Sequence, residues 1–487
     1  MDHGFRLRTF NLHRGLAVLL AGAAFFFCHC LAADEPPNVV LIIADDQRWD
    51  HFGFMGNERV HTPQLDALAE KSARWPNGYL PSSVCRPSLV TLLTGLYPHQ
   101  HGVHFNHGPP GNAGYNKMRS VETYRETRER EFKLISKVGC LPRWLSEGAD
   151  YRCLQTGKFW EGHWRNAGFT EGMTTFEAPA GMAFGGVRTL ASGVKVAHGN
   201  GDAGLWIGRR DLAPIRDFLD DCRSKTPQRP WLVWYAPYLP HEPHDAPERF
   251  RKLAAARPEV QAHERDYFAS IAQFDATVGE LVAMVEAQPS ERSTLFIFVS
   301  DNGWAPKETR HPKTEKFPVD ARSKRAPFDA GVRSPILVRW DGKVKPQTRT
   351  ELVSSVDIVP TVLAAAGLRK PTASLPGIDL VESLASEPNN AGLRRRAVFG
   401  EIYPGDATTL NDPSRDVAYR FVRHDRWKMV VVDRPWRNYL KADALFDVVA
   451  DPDERNNLIA DRETSETVAR LRKRLDQWWD GESVAQE

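Results

Sequence analysis

The sequence predicts an α/β fold, with a mostly parallel central sheet flanked by helices and a smaller C-terminal α+β domain. Three observations predict it. Nearly continuous apolar runs such as Asn38-Val-Val-Leu-Ile-Ile-Ala44 and Thr294-Leu-Phe-Ile-Phe-Val299 read as strands buried on both faces. These runs alternate with helical patterns up to about residue 375. Beyond that point the runs shorten and the texture becomes that of a small antiparallel unit.

At the N-terminus, Arg6, Arg8 and Arg14 precede the apolar run Leu16–Phe27 and the small-residue end Leu31-Ala32-Ala33. This is the order of a secretory signal peptide, predicted over 1–33, and it implies a secreted or periplasmic chain with no stable membrane insertion. The first strand, Asn38–Ala44, ends in Asp45-Asp46. Thr62 is placed as the N-cap of a helix with Pro63 in its first turn and Leu65, Leu68 and Ala69 on one face. A second helix is predicted over Ser88–Thr94, stopped by Gly95. Gly108–Arg130 reads as a polar surface loop. Trp231–Tyr235 is a strand, His263–Glu286 a long amphipathic helix, and Thr294–Val299 a strand ending in Ser300-Asp301-Asn302-Gly303. Pro335–Trp340 is a further strand, and Val356–Ala366 a helix stopped by Gly367. A catalytic α/β domain is thus expected over 34–375 and the α+β domain over 376–487. The latter holds an exposed stretch at Glu382–Arg395, strands at Ala397–Ile402 and Trp427–Val432, and a closing helix at Thr464–Trp479.

Of the 487 residues, 41% are apolar and 26% charged, enough for a packed core. The net charge of +2 belongs entirely to residues 1–33, leaving 61 basic and 61 acidic residues. A neutral chain argues against nucleic acid or an anionic membrane as the main partner. Four cysteines lie beyond the leader: Cys85, Cys140, Cys153 and Cys222. In an exported chain they allow two disulfides, with the pairing open, although four are too few for a disulfide scaffold.

The chemistry concentrates where two buried strands end in Asp45-Asp46 and Asp301-Asn302. Ligands of open α/β sheets sit at the carboxyl ends of strands, and three carboxylates with an amide suit Ca²⁺ or Mg²⁺. Read alone, either pair is equally well a turn. Cys85 stands just before a predicted helix, where unpaired N–H groups and the helix dipole lower a thiol pKa and favour anions. Trp160, Trp164 and Trp206 are either sugar platforms or core residues, and the core is the commoner fate. His99, His101 and His104 are expected to hydrogen-bond around the site rather than to bind metal.

Cys85-Arg86-Pro87-Ser88-Leu89, followed by Thr94-Gly95, resembles the sulfatase family hallmark Cys-x-Pro-Ser-Arg…Thr-Gly. Further matches run in order: Val39–Gln47, Gly157-Lys158, His241-Glu-Pro243 and Ser300–Gly303. After them come Lys324 with Asp329-Ala-Gly331-x-Arg333-x-Pro335, and Leu445-Phe-Asp447…Asp451-Pro-x-Glu454…Asn457-Leu458. The resemblance implies an alkaline-phosphatase-like fold and hydrolysis of a sulfate ester on a small molecule, carbohydrate or sulfated polysaccharide. It implies that Cys85 is oxidised by a formylglycine-generating or sulfatase-maturating enzyme to formylglycine, whose hydrate is the nucleophile. Asp45, Asp46, Cys85, Asp301 and Asn302 would ligate Ca²⁺, with Mg²⁺ as the substitute. Lys158, His241 and Lys324 would bind sulfate oxygens, and Lys324 or His241 would protonate the departing alcohol. Two positions depart from the pattern: Leu89 stands for the family's arginine and Trp160 for its histidine. Arg86 could supply the missing charge. The alternatives are a phosphodiesterase or phosphonate-ester hydrolase of the same superfamily, or a catalytically impaired glycan-binding homologue.

Overall fold

The computed structural model describes residues 1–3, 35–179, 185–288, 290, 292–305, 322–368, 375–385, 396–437 and 439–482. The expected leader, apart from its first three residues, and positions 386–395 of the expected exposed stretch lie outside these. From Pro36 onward the chain forms one compact unit. Its main sheet has eight strands: β1 (Asn38–Ala44), β2 (Ala73–Trp75), β3 (Arg152–Gly157), β4 (Glu171–Gly172), β5 (Trp231–Ala236), β6 (Thr294–Ser300), β7 (Ile336–Trp340) and β8 (Gln347–Thr348). Their spatial order is β8-β2-β7-β6-β1-β5-β3-β4. The centre, β6-β1-β5-β3, is parallel, and β7 runs antiparallel to both β6 and β2. The sequence pattern explains why the strands look uniformly apolar. Val39, Leu41 and Ile43 face one core cluster, whereas Val40, Ile42 and Ala44 face the other, so no residue of β1 meets water.

Helices cover both faces. On one side lie α1 (Pro63–Glu70) and most of the second core; on the other lies α2 (Cys85–Thr94), whose Leu89, Leu92 and Leu93 join the first core. Gly95 ends α2 at φ +70°, a conformation that favours glycine. Val121–Phe132 forms α3, and Gly111–Lys117 is a shorter helix before it, where the sequence pattern predicts a loop. Ser120 caps α3, its hydroxyl accepting the Thr123 N–H at 3.1 Å. The buried residues of α3 are Tyr124, Thr127, Arg128, Glu131 and Phe132, spaced as a helix face but mostly polar, so no hydrophobic period marks it. The long helix α4 (Arg265–Glu286) buries Phe274, Val278 and Leu281 in the core under α1. Thr62 sits at the N-cap of α1 but its side chain does not cap: it accepts the Gly53 N–H and donates to Asp66. Asp275 of α4 does that work, accepting the N–H groups of Gln64 and Leu65.

The C-terminal region is an antiparallel sheet in the order β9 (Ala397–Ile402), β10 (Tyr419–His424), β11 (Trp427–Val432), β12 (Ala444–Asp447). The closing helix α5 (Ser465–Trp478) lays Leu471 and Leu475 on Val422, Met429 and Val431. The four cysteines beyond the leader are buried and free, so the two possible disulfides do not form. Cys140, Cys153 and Cys222 are packed into the apolar clusters, where a small hydrophobe suffices.

A buried ionic cluster joins this sheet to the segment before β7. Asp329 accepts from Lys428 at 2.8 Å and from the Tyr79 hydroxyl at 2.7 Å, and Lys428 also meets Glu454 at 3.0 Å. Removing one partner of such a cluster strands the others. Lys428→Met is therefore expected to cost about 3–5 kcal/mol in urea unfolding, and adding Asp329→Asn to recover part of the loss. A cost below about 1 kcal/mol would show that the cluster behaves like a surface pair.

Candidate active site

The register of the two central strands builds the site. Asn38 pairs with Thr294 and Ala44 with Ser300, so β1 and β6 end level. The Asp301 N–H donates to the Ala44 carbonyl at 2.9 Å, and the Asp46 N–H to Asp301 Oδ1 at 3.0 Å. Asp46 has φ +64°, a left-handed turn that aspartate tolerates better than most residues. Gly303 follows closely: a Cβ there would lie 1.9 Å from the Ala330 carbonyl oxygen, so only glycine fits. One donor atom from each of Asp45, Asp46, Cys85 and Asp301 lies within 4.8 Å of all the others. Asn302 Nδ2 donates to Asp46 Oδ1 at 2.6 Å.

Three cationic or basic groups close on this cluster. Lys158, just past β3, places Nζ 2.5 Å from Asp45 Oδ1 and 3.8 Å from Asp301 Oδ2. Lys324 Nζ is 2.5 Å from Asp46 Oδ1. His241 Nε2 is 3.5 Å from Asp46 Oδ2, while its Nδ1 lies 2.7 Å from the Glu242 carbonyl. Nδ1 therefore carries the hydrogen and Nε2 the lone pair.

Burial pushes Asp45 well above the ordinary carboxylate value, against Lys158 and with help from Asp301 and Asp46. Burial raises Asp301 likewise. Burial also acts on Asp46, but Lys324, His241 and Lys158 together hold it low. Both lysines stay charged, since Asp45 beside Lys158 and Asp46 beside Lys324 outweigh burial. The Cys85 thiol is pushed up to about 12 by burial, so the expected lowering by the helix terminus does not occur. The reason is structural. Cys85 is inside the first turn of α2, Arg86 gives its N–H to Asn106 Oδ1, and Pro87 has none to give.

Asp45 Oδ2, Asp301 Oδ2 and Asn302 Oδ1 are buried without a hydrogen-bond partner. Unsatisfied buried oxygens in and next to a cluster of three carboxylates fit a hard divalent cation. The sulfur of Cys85 is the one soft donor among them; an oxygen-bearing side chain there would make the set all oxygen.

The other residues singled out from sequence fall elsewhere. Arg86 does not replace the missing charge. It is fully buried and paired with Glu131 at 2.8 Å and Glu161 at 2.7 Å, lying over the Phe105 ring. Leu89 is 3% exposed and part of the core, and Trp160 is nearly as buried. Trp164 packs under Arg165, and Trp206 lies against the second core. His99 bonds Glu401, His101 bonds Thr91 and His104 bonds Asp416, so none of the three gathers around a metal. Sequence reasoning missed Tyr238, which stacks on His241 at 4.3 Å, and Arg209, which donates to the carbonyls of Tyr238 and His241. It also missed Tyr267, whose hydroxyl donates to the Asp46 carbonyl. No pattern announces these contacts, which join residues far apart in the chain. A cavity of about 510 Å³ lined by Arg48, Asp50, His51, Asn57, Arg59 and Glu264 opens beside the segment that follows Asp46.

The profile of one protein family, described as Sulfatase, matches residues 37–368. The chain belongs to the sulfatase family. A second profile, of the N-sulphoglucosamine sulphohydrolase C-terminal region, matches residues 321–480. Among sulfatase relatives, human arylsulfatase A is 29% identical over 389 residues, covering 77% of this chain and 73% of its own. An ulvan-active sulfatase of Formosa agariphila is 24% identical over 470 residues, covering 92% and 80%. The crystal structure of Ps i-CgsB in complex with k-i-k-neocarrahexaose superposes with a TM-score of 0.66 at 19% identity, covering 93% of this chain and 94% of that one. The sulfatase fold, of the alkaline-phosphatase-like type, thus holds across nearly the whole chain.

Two outcomes follow. Asp301→Ala is expected to abolish binding of Ca²⁺ while the fold persists, read by calorimetry and metal analysis; full occupancy would refute the ligand set. Because Asp45 and Asp301 must lose protons to ligate, affinity is expected to rise with pH. At Leu89, an arginine would be buried among Leu92, Leu93 and Val90. Leu89→Arg is expected to destabilise by several kcal/mol, as measured by denaturant unfolding.

Proposed function

We propose that this chain is an exported sulfatase that hydrolyses a sulfate ester on a carbohydrate, using formylglycine derived from Cys85 and a Ca²⁺ ion. The observation that carries this is the meeting of Asp45, Asp46, Cys85, Asp301 and Asn302 with Lys158, His241 and Lys324 at the carboxyl ends of β1, β3, β5 and β6. Support for export is the basic-then-apolar leader of residues 1–33. Support for a carbohydrate comes from relatives and fold neighbours named for polysaccharide substrates or ligands.

A bound Ca²⁺ would polarise an ester oxygen and acidify the hydrate at position 85. The chain's own residues do the rest. With the carboxylates engaged by an ion, the ammonium groups of Lys158 and Lys324 face the place an oxyanion would take, and they stabilise negative charge there in a water-poor site. Lys324 carries a proton and is the donor for the departing alcohol. His241 gives its Nδ1 hydrogen to the Glu242 carbonyl and burial keeps the ring neutral, which leaves the Nε2 lone pair beside Asp46, so it is not the proton donor.

The test is a panel of aryl sulfates and aryl phosphate mono- and diesters, with the mass of the Cys85 peptide from the native host. Sulfates are expected to be turned over fastest, and Lys324→Ala to lower kcat/KM by about 10²–10³. Faster turnover of phosphate or phosphonate esters would assign the chain to that branch of the superfamily, and an unmodified Cys85 without turnover to the non-catalytic homologues.

A further inference from the structure

Beside the metal-binding face lies a polar cluster that ester hydrolysis leaves unused. Trp160 is two residues past Lys158. His107 follows Asn106, whose side chain accepts the Arg86 N–H at the start of α2. His198 stands on a loop pressed against Lys158: a Cβ on Gly201 would lie 3.1 Å from the Lys158 Cα. The three rings meet edge to face, with centroids 5.5 Å (His107–Trp160), 5.5 Å (His107–His198) and 5.7 Å (Trp160–His198) apart. His198 is partly exposed, whereas His107 and Trp160 are 8% and 6% exposed.

Each ring keeps one nitrogen without a partner: His107 Nε2, Trp160 Nε1 and His198 Nδ1. Their roles follow from the opposite nitrogens. His198 Nε2 faces the Arg188 guanidinium at 3.1 Å and must accept, so Nδ1 carries a hydrogen. His107 Nδ1 lies 3.2 Å from Asp406 Oδ1 and donates, so Nε2 offers a lone pair. Trp160 Nε1 is a donor only. Behind them Arg188 is 4% exposed, and its partners are neutral: the Asn112 carbonyl at 3.1 Å, Asn116 Oδ1 at 2.6 Å, Asn112 Oδ1 at 2.8 Å and His198. Among the described residues no carboxylate lies within ion-pair distance of it. A buried cation without an anion is unfavourable, and here burial lowers the Arg188 pKa. Two of the three free ring nitrogens are thus N–H donors, the carboxylate of Asp406 is engaged at the opposite nitrogen of His107, and the Arg188 charge behind them is met by neutral groups.

We propose that His107, Trp160 and His198, backed by Arg188, form a subsite for an acidic sugar, whose oxyanion takes the N–H groups of Trp160 and His198. A neighbouring hydroxyl of the same sugar donates to His107 Nε2. The subsite rests on the glycan sulfatase function proposed above, because the loop that carries His198 packs against the backbone at Lys158. It also gives Trp160 a purpose: the indole supplies an N–H donor where the family pattern has histidine. A uronate carboxylate and a second sulfate share the chemistry the subsite recognises.

The intact protein is assayed on three substrates: a sulfated disaccharide carrying a uronate, its carboxyl-reduced counterpart, and that counterpart bearing a second sulfate. 4-Nitrophenyl sulfate is assayed beside them. At least one acidic substrate is expected to exceed the neutral one about tenfold in kcat/KM, mainly through KM, and the arm that does so identifies the oxyanion. Trp160→Phe, which keeps the ring and removes the N–H, and His198→Ala should bring the preference toward one. Arg188→Gln should do the same, and Arg188→Lys should restore part. Turnover of 4-nitrophenyl sulfate with equal rates on acidic and neutral sugars overturns the subsite and leaves the hydrolase standing. If no ester is turned over, calorimetric titration with the same disaccharides decides: preferential binding of an acidic one supports the subsite, and equal or absent binding overturns it.

Discussion

Everything at the site depends on the parallel pairing of β1 with β6. Seven consecutive residue pairs run from Asn38–Thr294 to Ala44–Ser300, and both strands stop at the same level. A slip of one residue would turn every buried side chain of β1 to the opposite core and carry Asp45 and Asp46 away from Asp301 and Asn302. The apolar alternation of β1 between two cores forbids that slip, since the strand is buried on both faces. The strength of the sheet is thus what holds three carboxylates together against their mutual repulsion, with Lys158 and Lys324 as the local compensation.

The remaining parts of the site are hung on that frame by buried ionic contacts. On one flank Arg86 bridges Glu131 of α3 and Glu161 beyond Lys158, which ties the helix of Cys85 to the segment of Lys158. On the other, Lys428 and Tyr79 grip Asp329, a few residues past Lys324. The small antiparallel sheet is consequently part of what positions Lys324, although its sequence texture sets it apart from the α/β region.

Much of this was legible. Buried parallel strands announce themselves as apolar runs, and acidic pairs at their ends stand out because nothing in a core strand's end requires them. The helix α2 was readable apart from its first turn, which begins at Cys85 because Val84 takes the N-cap. What stayed hidden involves polar residues buried by distant partners. α3 shows no apolar stripe because Thr127, Arg128 and Glu131 share its buried face with Tyr124 and Phe132. Arg86 could not be assigned without Glu131 and Glu161, and Thr62 looked like a cap because Asp275, over two hundred residues away, was unseen. The four cysteines offered a pairing that their separate packing denies.

The burial of Cys85 has a consequence for the order of events in the life of the chain. The residue is 2% exposed, in the first turn of a helix whose next residue, Arg86, is itself fully buried between Glu131 and Glu161. No second protein can grip the five residues from Cys85 to Leu89 once this architecture has closed. Any enzyme that alters the thiol must therefore meet the segment while it is still extended, in competition with folding itself. The fraction of chains that carry the altered residue is then set by a race between two rates rather than by an equilibrium.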